Sequence, residues 1–129
     1  MTSRNIFLNL FDDKEGISFP AGQFIFKAGD PGETMYIVTD GEVQILAGST
    51  VMETAGPGSI FGEMALIDDE PRIASVVAKT DCRVVAVDRR RFLYMVQETP
   101  NFALAVMKVL ADRLRRADTI FLPQTESRG

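Results

Sequence analysis

Glu63 and Arg72 bracket the stretch Phe61-Gly62-Glu63-Met64-Ala65-Leu66-Ile67-Asp68-Asp69-Glu70-Pro71-Arg72-Ile73-Ala74-Ser75. Gly62-Glu63-Met64-Ala65 is small and helix-permissive and follows a glycine-rich turn at Gly56-Pro57-Gly58. A single helical turn there would offer several unpaired backbone N–H groups to an anion. The loop after it can fold Arg72 back onto the same spot, where a planar guanidinium matches two oxygens of a phosphate. An ionised Glu63 only accepts hydrogen bonds, and a sugar hydroxyl beside the phosphate is a suitable donor. One carboxylate, one guanidinium and a ring of amides make a phosphate-plus-ribose site. The competing reading is an Arg72–Glu63 ion pair that closes a tight loop and takes no ligand.

Other chemistry is poorly supplied. The chain has no histidine and one cysteine, Cys82, which removes Ser–His–Asp triads, Cys–His pairs and most transition-metal sites. Carboxylate-only Mg²⁺ or Ca²⁺ sites stay open to such a composition, but no loop has the calcium-binding EF-hand spacing and no metal ligand is singled out. General acid–base work would fall to carboxylates, lysine or tyrosine; a binding protein with no catalytic residue is expected instead. A lone cysteine forms no internal disulfide and fits a reducing compartment. No run approaches the roughly 18 apolar residues of a membrane span, and the patch Ile6 to Phe11 is too short and wrongly flanked for a signal peptide. The expected location is the cytoplasm.

The net charge of −4 hides an asymmetry. Residues 1–70 carry three basic and twelve acidic side chains, a balance of −9, and residues 71–129 carry eleven and six, a balance of +5. Arg89-Arg90-Arg91 and Arg113 with Arg115-Arg116 supply much of the excess. They read either as solvated helix faces or as a weak nucleic-acid patch.

The elements that must position this chemistry are short strands cut by turns. Gln23–Phe26, Thr34–Thr39, Glu42–Ala47, Val51–Thr54, Ile73–Ala78 and Arg83–Val87 are mostly β-branched or aromatic. Gly29-Asp30-Pro31-Gly32, Asp40-Gly41, Gly48-Ser49 and Gly56-Pro57-Gly58 fall between them. Asp40-Gly41, between two alternating runs, predicts a hairpin with a type I′ turn. After Val87 the period becomes helical. Asp88 caps a helix to about Glu98 with Phe92, Met95 and Val96 on one face. Thr99-Pro100 opens a second helix to about Phe121, its stripe running through Phe102, Val106, Val109, Leu110, Arg113, Leu114 and Ala117. One domain is expected over residues 1–121, with strands at about 19–88, helices at about 88–121 and a polar, fraying tail over 122–129.

Phe61 to Leu66 and Arg72 to Ser75 resemble the phosphate-binding cassette of the cyclic-nucleotide-binding domain family, F-G-E-[LM]-A-L, a short loop, then R-x-A-[ST]. The family includes bacterial catabolite activators, regulatory subunits of cAMP-dependent kinase and nucleotide-gated channels. The likeness runs from about Phe19 to Phe121. It implies a mainly β fold: a double-stranded β-helix, or jelly roll, with a short phosphate-binding helix and two C-terminal helices, the second a lid. It implies a cyclic nucleotide as ligand, cAMP or cGMP, and no other cofactor. Arg72 would then hold the equatorial phosphate oxygens and Glu63 the ribose 2′-hydroxyl. Backbone N–H groups of Gly62, Met64, Ala65, Ile73 and Ala74 would add contacts.

Ile45 reads either as plain core or as an apolar wall for the purine, and Arg113 as a lid over the base, a solvated residue or a salt-bridge partner. In cGMP-selective kinases with a similar cassette a threonine follows the arginine; Ile73 has no hydroxyl there, which points to cAMP. The N-terminal helical region and the Gly48-Ser49 hairpin are short by the family's standard. Nothing after Phe121 is long enough for the helix-turn-helix of the bacterial activators, so the expectation is a free-standing or excised sensor. It would signal through a downstream protein or fused effector rather than act on DNA.

Overall fold

The computed structural model describes residues 3–11 and 13–121, with side chains for 6–11 and 14–116. Eight strands are formed among them: β1 Ile17–Phe19, β2 Phe24–Phe26, β3 Thr34–Asp40, β4 Val43–Ala47, β5 Thr50–Ala55, β6 Ile60–Phe61, β7 Ser75–Ala78 and β8 Cys82–Asp88. Helix α1, Ser3–Leu10, precedes them, and α2, Arg89–Glu98, and α3, Pro100–Phe121, follow. Two 3₁₀ turns, Asp13–Glu15 and Glu63–Leu66, interrupt the order.

All pairings are antiparallel and fall into two four-stranded sheets, β1-β8-β3-β6 and β2-β7-β4-β5. This is the expected jelly roll. The first sheet is covered on both faces, because successive strand side chains point to opposite sides. Met35 and Ile37 of β3, with Val85 and Val87 of β8, join a core shared with the helices. Val38 and Val84, from the same strands, join the core between the sheets. A run such as Val84-Val85-Ala86-Val87 therefore shows no polar alternation.

Phe102 of α3 is fully buried and gathers the three helices. Its ring meets Phe7 at 5.9 Å and Phe92 at 5.5 Å, both edge-on, and Phe11 at 6.0 Å. Offset and edge-to-face pairs of this kind add to simple burial. Asp88 caps α2 as expected, its Oδ1 accepting from the Arg91 N–H at 2.8 Å, and Phe92, Met95 and Val96 pack on the helical core.

The Asp40-Gly41 expectation is overturned. β3 and β4 lie in different sheets and do not pair. Gly41 has φ +77°, but no non-glycine residue among those described has positive φ, so the type I′ geometry is absent. The segment is a crossover: a Cβ at Gly41 would run into the backbone at Asp81 and Cys82. The short hairpin expected around Gly48-Ser49 does form, with Ala47 opposite Thr50. The strand expected from Ile73 begins only at Ser75, and β1 and β6 were not anticipated. On α3, Leu114 leaves the expected stripe and is 64% exposed. The side chain of Ala117 and the fraying-tail expectation for 122–129 lie outside the described residues.

Candidate functional site

A cavity of about 540 Å³ opens between the second sheet, the 3₁₀ turn at Glu63–Leu66 and α3. All nine residues singled out from the sequence line it: Gly62, Glu63, Met64, Ala65, Arg72, Ile73, Ala74, Ile45 and Arg113. Ile45 also packs against the core between the sheets, so it is a core residue that shows one side to the cavity. Cys82 is elsewhere, buried in β8, and burial raises its thiol pKa, with Asp40 and Asp81 adding to the rise.

Arg72 is set by the turn at Gly29-Asp30-Pro31-Gly32. Its N–H donates to the Asp30 carbonyl at 2.9 Å, and its carbonyl accepts from the Gly29 N–H at 2.7 Å. The side chain is 8% exposed. Nη1 donates to the Gly62 carbonyl at 3.0 Å and Nη2 to the Thr34 carbonyl at 2.8 Å. The guanidinium lies 4.0 Å from the centre of the Phe26 ring, a cation–π contact. Phe61 packs 5.8 Å from Phe26 and is stacked on Tyr36 at 5.1 Å, so the platform under the cation is itself fixed.

Two glycines make room for it. A Cβ at Gly32 would stand 2.5 Å from Arg72 Nε, and one at Gly62, where φ is +78°, 2.9 Å from Nη1. Burial lowers the Arg72 pKa, while Tyr36, Glu63 and Asp30 push it back up. Nε is the one buried side-chain polar atom without a hydrogen-bond partner among the described residues.

Glu63 is 6% exposed, yet Arg72 is not its salt-bridge partner. The ion pair weighed from the sequence therefore does not form. Its Oε1 accepts instead from Nη1 of Arg113 at 3.0 Å. Arg113 reaches from α3 into the cavity, and its Nε and Nη2 clasp Glu53 of β5 at 2.9 and 3.2 Å. Nη2 also donates to the Ile60 carbonyl at 2.6 Å, and Arg116 joins Glu53 at 3.2 Å. Of the readings given for Arg113, the salt bridge is the one formed, and it is formed inside the cavity. Burial alone would lower the Arg113 pKa, but Glu53 and Glu63 outweigh it and the net shift is upward. For Glu53 burial pushes the carboxyl up, yet the two arginines bring it below its ordinary value.

The 3₁₀ turn forms where the small residues stand. Its closing bonds use the Ala65 N–H, donated to the Gly62 carbonyl at 3.2 Å, and the Ile67 N–H, donated to Met64 at 3.0 Å. The Ala65 amide expected to face a ligand is thus already engaged; those of Gly62, Met64, Ile73 and Ala74 are outside these bonds.

Sequence reasoning missed Phe26, Glu53 and Arg116. Several arginines of the basic clusters pair with carboxylates of the same chain at the surface. Arg91 holds Glu15 through both Nη atoms, Arg89 meets Asp69 at 3.5 Å, and Arg115 meets Asp112 at 2.9 Å. Among the described residues no cluster suits a metal ion and no helix is long and apolar enough to cross a membrane.

Comparison with known proteins places this arrangement. The profile of the cyclic nucleotide-binding domain matches residues 17–99. A CRP-like cAMP-activated global transcriptional regulator of Mycobacterium tuberculosis is 33% identical over 115 residues, covering 81% of this chain and 51% of the relative. A cAMP-dependent protein kinase regulatory subunit of Emericella nidulans is 38% identical over 92 residues, 70% of this chain and 22% of that protein. The crystal structure of Thermus thermophilus catabolite activator protein matches with a TM-score of 0.74 at 34% identity, over 91% of this chain and 56% of the other. The chain spans about half the length of the bacterial regulator it matches. On the cassette, the jelly roll and these matches together, the chain belongs to the cyclic nucleotide-binding domain family.

Proposed function

We propose that this chain is a cytoplasmic cAMP-binding regulatory module in which Arg72 holds the cyclic phosphate and Glu63 the ribose 2′-hydroxyl. The observation that carries the reading is the Arg72 guanidinium, buried in the cavity wall with its Nε–H unmatched. An unsatisfied buried donor costs roughly 1–3 kcal/mol, and a small shift of the guanidinium that lets Nε meet an anionic acceptor in the cavity would recover that cost. The lid is α3, since Arg113 already couples it to Glu63. A ligand that takes part of the Glu63 carboxylate changes the contacts of α3, and only such differential contacts shift a conformational equilibrium.

The output would be read by a downstream protein or fused effector when α3 moves. Relatives named as cAMP-activated and cAMP-dependent regulators support the choice of nucleotide and a non-enzymatic role. Ile73, without a hydroxyl, gives guanine no polar contact at that position. The weak nucleic-acid reading loses support because so many of the C-terminal arginines hold carboxylates of the same chain.

Calorimetric titration with cAMP and cGMP is the test. Tighter or equal binding of cAMP is expected, and a tenfold preference for cGMP would overturn the assignment. Nucleotide-dependent, sequence-specific DNA binding by residues 1–129, read by fluorescence anisotropy at physiological salt, would revive the nucleic-acid reading.

A further inference from the structure

Glu53 is more than an anchor for arginines. It lines the cavity on β5, and its side chain is 18% exposed. A carboxylate offers about four acceptor positions. Its Oε1 accepts from Arg113 Nε and Arg116 Nη2, and its Oε2 accepts from Arg113 Nη2. One position, on Oε2, is left. Around it Arg116 gives a single N–H to Glu53 and keeps further donors, and it too lines the cavity. The wall therefore presents an acceptor and a donor side by side.

The location follows from Arg113, whose guanidinium touches Glu53 and Glu63 at once. The two carboxylates stand one guanidinium apart on the wall of the same cavity, close enough for a single nucleotide to meet both. Adenine shows the N6 amino donor beside the N7 acceptor on one edge, whereas guanine shows two acceptors, O6 and N7. An acceptor–donor wall matches the first and sets a carboxylate against O6 in the second. The arginines keep Glu53 ionised at neutral pH, so it has no proton to offer O6.

We infer that Glu53 is the residue that selects adenine, by accepting from its N6 amino group while the neighbouring arginine donates to N7. This deepens the cAMP-binding function proposed above and rests on it.

The experiment titrates the unaltered chain and Glu53→Gln with cAMP, cGMP and the cyclic monophosphate of unsubstituted purine riboside, which lacks the amino group without adding bulk. The unaltered chain should bind the purine analogue about tenfold more weakly than cAMP. In Glu53→Gln the amide can donate to O6, so cGMP should gain affinity while cAMP changes little, narrowing the cAMP:cGMP ratio about tenfold. Equal factors of change for both nucleotides, or indifference of the unaltered chain to the missing amino group, overturns the role of Glu53 and leaves the binding function standing. Binding of none of the three by the unaltered chain overturns both.

Discussion

Replacing Arg72 by alanine should weaken cAMP binding by about thirty-fold to a few thousand-fold, roughly 2–5 kcal/mol, the usual cost of truncating one partner of a buried charge pair. The structure argues for the upper part of that range. Two carbonyls, at 3.0 and 2.8 Å, and the Phe26 ring at 4.0 Å already hold the guanidinium. Its rotamer freedom, about 2 kcal/mol for a free arginine, is largely lost on folding rather than on binding. Alanine also leaves the Gly62 and Thr34 carbonyls without that donor, so the variant should melt earlier. Arg72→Lys separates the effects: one ammonium keeps the charge but cannot serve two carbonyls and a phosphate with the same planar fork, so an intermediate loss is expected. Calorimetry gives the affinities, and circular dichroism with thermal melts establishes that each variant is folded. A folded Arg72→Ala that binds cAMP like the unaltered chain would refute the placement of the phosphate.

Glu53 has a folded pKa below its ordinary value of 4.5, so its ion pairs stabilise the fold above that pH and the contribution fades as pH falls through the lower folded value. Melting temperature should drop across this acid range, and Glu53→Gln should flatten the drop; parallel profiles would contradict the cluster. The raised pKa of Arg113 has the opposite sign, its contribution being present below the unfolded value and lost only in strong alkali. Hydrogen exchange in α3 should slow on cAMP binding, and truncation from Leu110 should weaken affinity; identical protection with and without nucleotide would remove the lid. Phe102→Ala should cost about 3–5 kcal/mol by urea unfolding, because a fully buried ring shared by three helices leaves a cavity; a loss under 1 kcal/mol would contradict its central place.

The cassette was legible because its parts are contiguous: small residues make the turn, and a short loop brings Arg72 back. The helices were legible from their period, with Asp88 and Pro100 marking their starts. Glu53 was not, since its neighbours Thr50, Val51, Met52 and Thr54 are all exposed and its partners arrive from α3. Asp40-Gly41 misled because apolar runs around a tight turn look alike whether the strands pair or part into two sheets. β6, two residues long, carries too little pattern to register. Leu114 was misassigned because Arg113 turns into the cavity, and the next residue lies about 100° round a helix of 3.6 residues per turn.

The strand pairs are nested like the rungs of one folded ladder. β4 meets β5 across Gly48-Ser49, β3 meets β6 outside them, β2 meets β7 outside those, and β1 meets β8 last. Such a chain can close as a zipper from the tip, each new rung adding only the loop between it and the one before, which limits the entropy of each closure. The 3₁₀ turn at Glu63–Leu66 lies between β6 and β7, so it belongs to the middle of the ladder, with a rung on each side. Gly48 has open space around its Cα, with nothing within 4 Å of an added Cβ, and lies beyond the innermost rung. Extra residues inserted there lengthen the ladder's end without passing through the cavity, which makes the tip the natural point for grafting a reporter domain.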